Sequence, residues 1–353
     1  MMRVLITFIV IGIIIRYTMM TLYTNLNDDL KAWLPIITSK TSLCQPHDSF
    51  KYPLTFMWSK GPFPHTEYNT FDTEYRTSYY GLVEYVKRSQ ENGFIWIRTG
   101  SPGIYISDLD LFAEMLYLLD KPIILVSGDG DRCIPSEISK KTVENICTSP
   151  MIKKWYTQNY DDCDRKQKKI NPYPIGLDLH SQRDYTLNTV DDKTNAIVKI
   201  CKRCYAKTMK IFCDIAASSQ DRFGGQRKRV ANILKELPHA QLLTNRVSQA
   251  EIWEMYASYE FVVSPPGNGI DCHRTWEVLL MGSIPIVLTS CLDPLFHGLP
   301  VIILNDWNEL KDADLIKWKK SVESQQTHVH ETLFDKMPFS IKTYAEECEY
   351  NNE

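Results

Sequence analysis

Between residues 94 and 304, short apolar runs alternate with segments whose apolar residues fall at helical spacing. A continuous apolar run such as Pro122–Ser127 (PIILVS), stopped by Gly-Asp-Gly, reads as a strand buried on both faces. Parallel sheets covered by helices supply that environment, and alternating β and α segments build them. The runs Phe94–Arg98, Pro122–Ser127, Trp155–Gln158 and Tyr173–Ile175 are the expected strands of a first half. Asp108–Leu119, with Asp108 as N-cap, and Ser136–Cys147 are its expected helices. A polar stretch near Tyr185–Thr194 reads as a boundary, after which the pattern restarts. The second half is expected to hold strands at Lys210–Ile215, Gln241–Thr244, Phe261–Ser264, Ile284–Leu288 and Val301–Leu304. Its helices are expected at Arg227–Leu237, from Ser248 to Ser258 with Glu251 at the capping-box position, and at His273–Met281. The expected class is therefore α/β, with two Rossmann-like doubly wound domains facing a cleft.

The length of 353 residues suits two domains, expected at 61–190 and 191–353. Residues 24–60, with scattered Pro, Ser, Thr and Asp, read as a stem. Val4–Ile15 is apolar apart from Gly12 and lies between Arg3 and Arg16, so residues 1–23 read as a membrane anchor or a signal segment. No small-x-small cleavage site follows, which favours a single-pass N-terminal anchor in a Golgi- or ER-like lumen or a viral or host endomembrane. A net charge of -3 does not suit a polyanion binder, so nucleic acid is not an expected partner. Cys201 and Cys204 form one Cys-x-x-Cys pair with no second pair at zinc spacing, and no metal ligand set is expected.

Chemistry concentrates in Phe261–Leu288, FVVSPPGNGIDCHRTWEVLLMGSIPIVL. Its order is strand, Gly/Pro loop, helix, Gly, strand. Gly267, Asn268 and Gly269 let backbone approach a ligand closely, and the helix starting near His273 turns unpaired N–H groups and a positive dipole end toward that loop. Arg274 in the first turn opposes the dipole, and a bound diphosphate explains it. Glu277, one turn on, suits a ribose. The plain alternative is a β/α connection whose glycines only make the turn.

This segment resembles the nucleotide-binding region of the exostosin family of glycosyltransferases and its viral and algal relatives. The matching positions are Ser264–Gly269, Arg274, Glu277, Gly282, Pro285 and Ile286. The resemblance implies a GT-B type fold, with the donor held mainly by the C-terminal domain. It implies a UDP-sugar donor and inversion at the anomeric carbon, with Arg274 on the diphosphate and Glu277 on the ribose. The polar insertion Asn268–His273 departs from the family pattern and leaves the sugar open.

A second anion loop follows Lys210–Ile215, where Ser218, Ser219, Arg222 and Arg227 are candidates for phosphate contacts; a flexible surface loop is the alternative. In the first half, Asp129 and Asp131 stand just past a strand, as do Asp178 and His180. Each is a candidate base for an acceptor hydroxyl. The expected function is transfer of a sugar from a nucleotide donor to a glycan or glycoprotein hydroxyl. Arg274 and the helix dipole can carry the leaving charge, so no cofactor is required, and a divalent cation remains compatible. A membrane-anchored binding module and a nucleotide-sugar hydrolase or epimerase are the alternatives.

Overall fold

A computed structural model of the chain describes residues 79–330, apart from 91–92, 104–105, 180–186, 188, 202, 204, 216–220 and 244. The first half opens with α1 (Tyr79–Ser89), β1 (Phe94–Arg98), α2 (Asp108–Glu114) and β2 (Ile123–Gly128). It continues with α3 (Lys140–Thr148), β3 (Ile152–Thr157) and β4 (Ile170–Pro172). After α4 (Val190–Cys201) come β5 (Thr208–Cys213), α5 (Gln226–Lys235), β6 (Ala240–Leu242) and α6 (Gln249–Ser258). Then follow β7 (Tyr259–Val263), α7 (His273–Leu280), β8 (Ile284–Leu288), β9 (Ile302–Leu304) and α8 (Leu315–His330).

The strands form two parallel sheets, β1-β2-β3-β4 and β6-β5-β7-β8-β9. The expected α/β class, two parallel sheets flanked by helices, is the one the chain adopts. In the second sheet the order reverses between β5 and β7, and the crevice outside the carboxyl ends at such a reversal is where ligands bind. One apolar cluster runs through both halves and includes Trp96, Trp155, Phe212, Trp253 and Trp276. A second, with Phe261 and Trp307, lies within the C-terminal sheet and its helices. Burying each such ring contributes roughly 1.5–3 kcal/mol.

Local sequence sets the helix ends. Ser248 and Glu251 form the expected capping box on α6. Gly282, at φ 70°, closes α7: its N–H donates to Leu279 and the next N–H, of Ser283, donates to Val278. That pair of bonds needs a left-handed residue, which glycine adopts without penalty.

Several local expectations change: α2 stops at Glu114 rather than running to Leu119, and α3 starts at Lys140, with Ser139 as its N-cap, rather than at Ser136. Ser107, not Asp108, caps α2, because its hydroxyl accepts the Asp110 N–H. Asp108 instead turns inward, where it and Arg98 form a fully buried ion pair at 2.9 Å. The fourth strand lies at Ile170–Pro172, ahead of the expected Tyr173–Ile175. Tyr173 and Ile175 are buried where the chain leaves the sheet: the Tyr173 N–H still donates to the Thr157 carbonyl, and the Ile175 N–H donates to Asp271 of the other half. The polar boundary stretch carries the start of α4, which packs on α6.

The expected membrane anchor, with its endomembrane location and membrane partner, is also corrected. Among the described residues no helix is long and apolar enough to cross a membrane. Val4–Ile15 and the stem lie outside the described residues.

Candidate functional site at the facing sheet edges

The carboxyl ends of both sheets turn toward each other, and the loops that leave them make the contacts between halves. From β2 runs Asp129-Gly130-Asp131. Gly130 packs so tightly on the Gly100 carbonyl that a methyl group there would collide with it. Asp129 is buried at φ 52°, and its N–H donates to Gln158 Oε1 at 3.2 Å. Asn159, just past β3, donates to the Gly130 carbonyl at 3.0 Å and accepts the Asp271 N–H at 3.0 Å. The segment past β4 lies on the start of α7: the Ile175 N–H donates to Asp271 Oδ2 at 2.7 Å, and His273 Nδ1 donates to the Gly176 carbonyl at 2.8 Å.

Arg222 bridges the two halves. Its Nη1 donates to the carbonyls of Asp131 and Asn268, both at 2.7 Å, and its Nη2 pairs with Glu137. Burial pushes the Asp131 carboxyl above the ordinary carboxylate range, while Arg222, His273 and the Asn268 side chain hold it back. Asp131, Arg222, Asn268 and His273, expected from three separate segments, are thus brought together.

Arg274 has a different partner from the one expected. Its Nε lies 2.7 Å from Oδ1 of Asp214, the residue after β5, and the Tyr256 hydroxyl donates to Asp214 Oδ2 at 2.8 Å. Both ion-pair side chains are largely buried, at 13% and 12% exposed. This pair sits at the reversal between β5 and β7. Glu277 is buried, and Oε1 accepts the Asp178 N–H at 3.4 Å. Asp178 itself is buried, with its carbonyl accepting from Gln249 Nε2 at 3.0 Å and Lys193 Nζ at 3.4 Å. His180, Ser218 and Ser219 lie outside the described residues.

The two helix starts at this edge differ. The α5 start is filled from within the chain: Asp221 accepts the N–H groups of Phe223, Gly225 and Arg227 at 2.8, 3.0 and 2.8 Å. Burial raises the Asp221 carboxyl, but these backbone donors outweigh it and hold it below its ordinary value. The α7 start has Cys272 at its N-cap, with no side-chain cap bond. The Ser264–Gly269 loop stands in front of it. Arg227 Nε donates to the Pro266 carbonyl at 3.0 Å, and its guanidinium sits so close to Gly267 that a side chain there would strike it. Gly269 likewise leaves no room beside the Asn159 amide.

A cavity of about 210 Å³ opens beside this loop, lined by Gln226, Ser264, Asp271, Thr275, Ser290 and Phe296 among others. It is smaller than ligand pockets of ~300–1,000 Å³. Among the described residues no group of three or more His, Cys, Asp or Glu side chains could hold a metal ion.

Sequence reasoning did not find Asn159, Asp214, Asp221 or the Cys163–Cys291 disulfide. Asp214 carried a signal, as an acidic residue at the end of a recognised strand. The others show their roles only in three dimensions.

No protein-family model and no curated protein matches the chain. Among solved structures it is similar to the spinosyn rhamnosyltransferase SpnG complexed with thymidine diphosphate, at 12% identity over 75% of this chain and 74% of that one, TM-score 0.34. It is similar to a UDP-forming α,α-trehalose-phosphate synthase from Burkholderia vietnamiensis, at 11% identity over 80% and 79%, TM-score 0.40. It is also similar to the glycotransferase of kitacinnamycin, at 10% identity over 76% and 80%, TM-score 0.36. Likenesses this distant carry no argument about activity. The facing parallel sheets make the fold GT-B-like, and the exostosin attribution rests on the motif alone.

Proposed function

We propose that this chain is a glycosyltransferase that uses a nucleotide-linked sugar. In this reading the diphosphate lies at the start of α7, behind the Ser264–Gly269 loop, and Asp131 faces it from the β2 loop. The observation that carries the reading is the start of α7 at the facing sheet edges, where the N-cap residue Cys272 makes no side-chain cap bond, since the positive end of a helix dipole attracts phosphate.

Arg274 supplies positive charge one residue into the helix, and Asp214 holds it in place until the ligand arrives. Asp131 is the proposed base. Its raised proton affinity makes it a better proton acceptor from a sugar hydroxyl than an ordinary carboxylate. The hydroxyl attacks the anomeric carbon, the bond to the nucleotide breaks, and the diphosphate leaves toward α7. Attack opposite the leaving group inverts the anomeric centre. UDP as the nucleotide, an exostosin-like identity and a division of the chain at residues 61–190 and 191–353 belong to the same proposal.

The test is a thermal shift of the full chain with UDP, GDP, ADP and CMP, repeated on Arg274→Ala, each protein measured against its own ligand-free baseline. A nucleotide at ~100 times its dissociation constant adds ~2.7 kcal/mol. Stabilisation by one nucleotide, lost in the variant, supports the reading. No shift with any of them overturns it. Release of nucleotide without an acceptor sugar turns the reading to a hydrolase.

A further inference from the structure

We propose that the Cys163–Cys291 disulfide is a reducible latch that holds the loop lining the C-terminal cavity against the N-terminal sheet. The bond joins residues 128 apart in sequence, one in each half. Cys291 sits between Ser290 and Leu292, both of which line the cavity. Cys163 lies four residues beyond Asn159, which bonds Asp271, another lining residue. The latch therefore ties the loop that lines the cavity to a loop of the other half that also holds a lining residue through Asn159.

The surrounding bonds make this tie the one that matters. Among the described residues, the hydrogen bonds of Thr289–Asp293 stay within the C-terminal half. Thr289 N–H donates to the Leu304 carbonyl at 2.8 Å, its hydroxyl donates to Asp293 at 2.6 Å, and the Ser290 N–H donates to Asp293 at 2.9 Å. The Cys163 loop is likewise tied within its own half, by Asp161 N–H to the Ile134 carbonyl at 2.8 Å and Gln167 N–H to Asp162 at 2.8 Å. Each loop keeps hydrogen bonds of its own when the S–S bond opens, but without an anchor in the other half those bonds open more often. What is lost is their attachment, with only apolar packing remaining around Leu292.

Cys163 is exposed and Cys291 half-buried, so a dithiol can reach the bond. Exposed disulfides are the labile ones. The described free thiols do not compete. Burial pushes Cys133 and Cys201 up to about 12, Cys147 and Cys213 up to about 11, and raises Cys272 too, so they stay protonated and exchange poorly. In the reduction, a dithiol's thiolate attacks one sulfur and forms a mixed disulfide. Its second thiol then displaces that cysteine. The dithiol leaves as a cyclic disulfide, and its two protons end on Cys163 and Cys291. The proposal does not depend on which ligand the cavity takes.

The test is hydrogen–deuterium exchange of the full chain, oxidised and after reduction with dithiothreitol, alongside Cys163→Ser and Cys291→Ser. Non-reducing peptide mapping first locates the crosslink. Reduction is expected to speed exchange at 289–292 and 264–271 by about tenfold or more while β2 and β7 stay protected. Both variants are expected to match the reduced protein with or without the dithiol. Unchanged exchange on reduction, exchange rising across every strand, or no crosslinked peptide overturns the proposal. If a variant does not fold, reduction of the unaltered chain still decides it.

Discussion

Asn159 and Asp271, 112 residues apart, are joined by the Asp271 N–H donating to Asn159 Oδ1 at 3.0 Å. The same amide donates to Gly130, so one side chain serves the loops leaving β2, β3 and β7. Asn159→Ala leaves a buried N–H and a carbonyl without that partner. The expected loss is about 1–3 kcal/mol in urea unfolding. A change within the error of the measurement means water replaces the amide and the contact does not join the halves.

Arg274→Ala is expected to destabilise by about 3 kcal/mol even without ligand, because it strands the buried Asp214 carboxylate. Removing both partners, as Arg274→Ala with Asp214→Ala, is expected to recover part of that loss. A double variant as unstable as the sum of the two singles would show that the pair is not coupled.

The pH dependence of stability has a sign set by Asp271. Burial raises its carboxyl to about 6, more than the Ile175, Trp276 and Cys272 donors and the nearby His273 lower it. Its folded value then lies above the unfolded one, so the protonated form favours the native state. That contribution is complete below about pH 4 and is lost as pH rises through 6, about 3 kcal/mol in all. Unfolding of the unaltered chain from pH 4 to 7 is expected to lose ground against Asp271→Asn, which does not titrate. Parallel curves would place the carboxyl at its ordinary value.

Asp131→Asn is expected to lower kcat by about a hundredfold or more, the usual contribution of a positioned base, with nucleotide affinity retained. In the unaltered chain the rate should rise with pH as Asp131 ionises. Burial places that rise above the ordinary carboxylate range. Full turnover in the variant would remove Asp131 as the base.

The second sheet was readable because its information is local. Phe261–Ser264, Ile284–Leu288 and the helix at His273–Met281 are each within a residue or two of β7, β8 and α7, since apolar runs and a terminal glycine report on their own neighbourhood. The Ser248–Glu251 capping box is a four-residue signal and was read from its spacing. Tyr173–Ile175 misled for the opposite reason. Its apolar residues are buried although the chain there is leaving the sheet, with the Ile175 N–H on Asp271 of the other half, and burial outside a strand looks like burial within one. The site failed in the same way. Arg274 was legible as a cation in an unusual place, but Asp214 is 60 residues away, and nothing in the spacing announces the pair.

Asp221 has one more consequence. Two helices begin at this edge, but the start of α5 already holds a carboxylate of its own chain, on three backbone N–H groups. An anion approaching there meets repulsion, while at α7 the dipole offers attraction and the carboxylate one residue before the N-cap, Asp271, is buried and bonded to Ile175, Cys272 and Trp276. The crevice is therefore electrically asymmetric. A molecule with one charged end and one neutral end has a single favourable way round to lie in it.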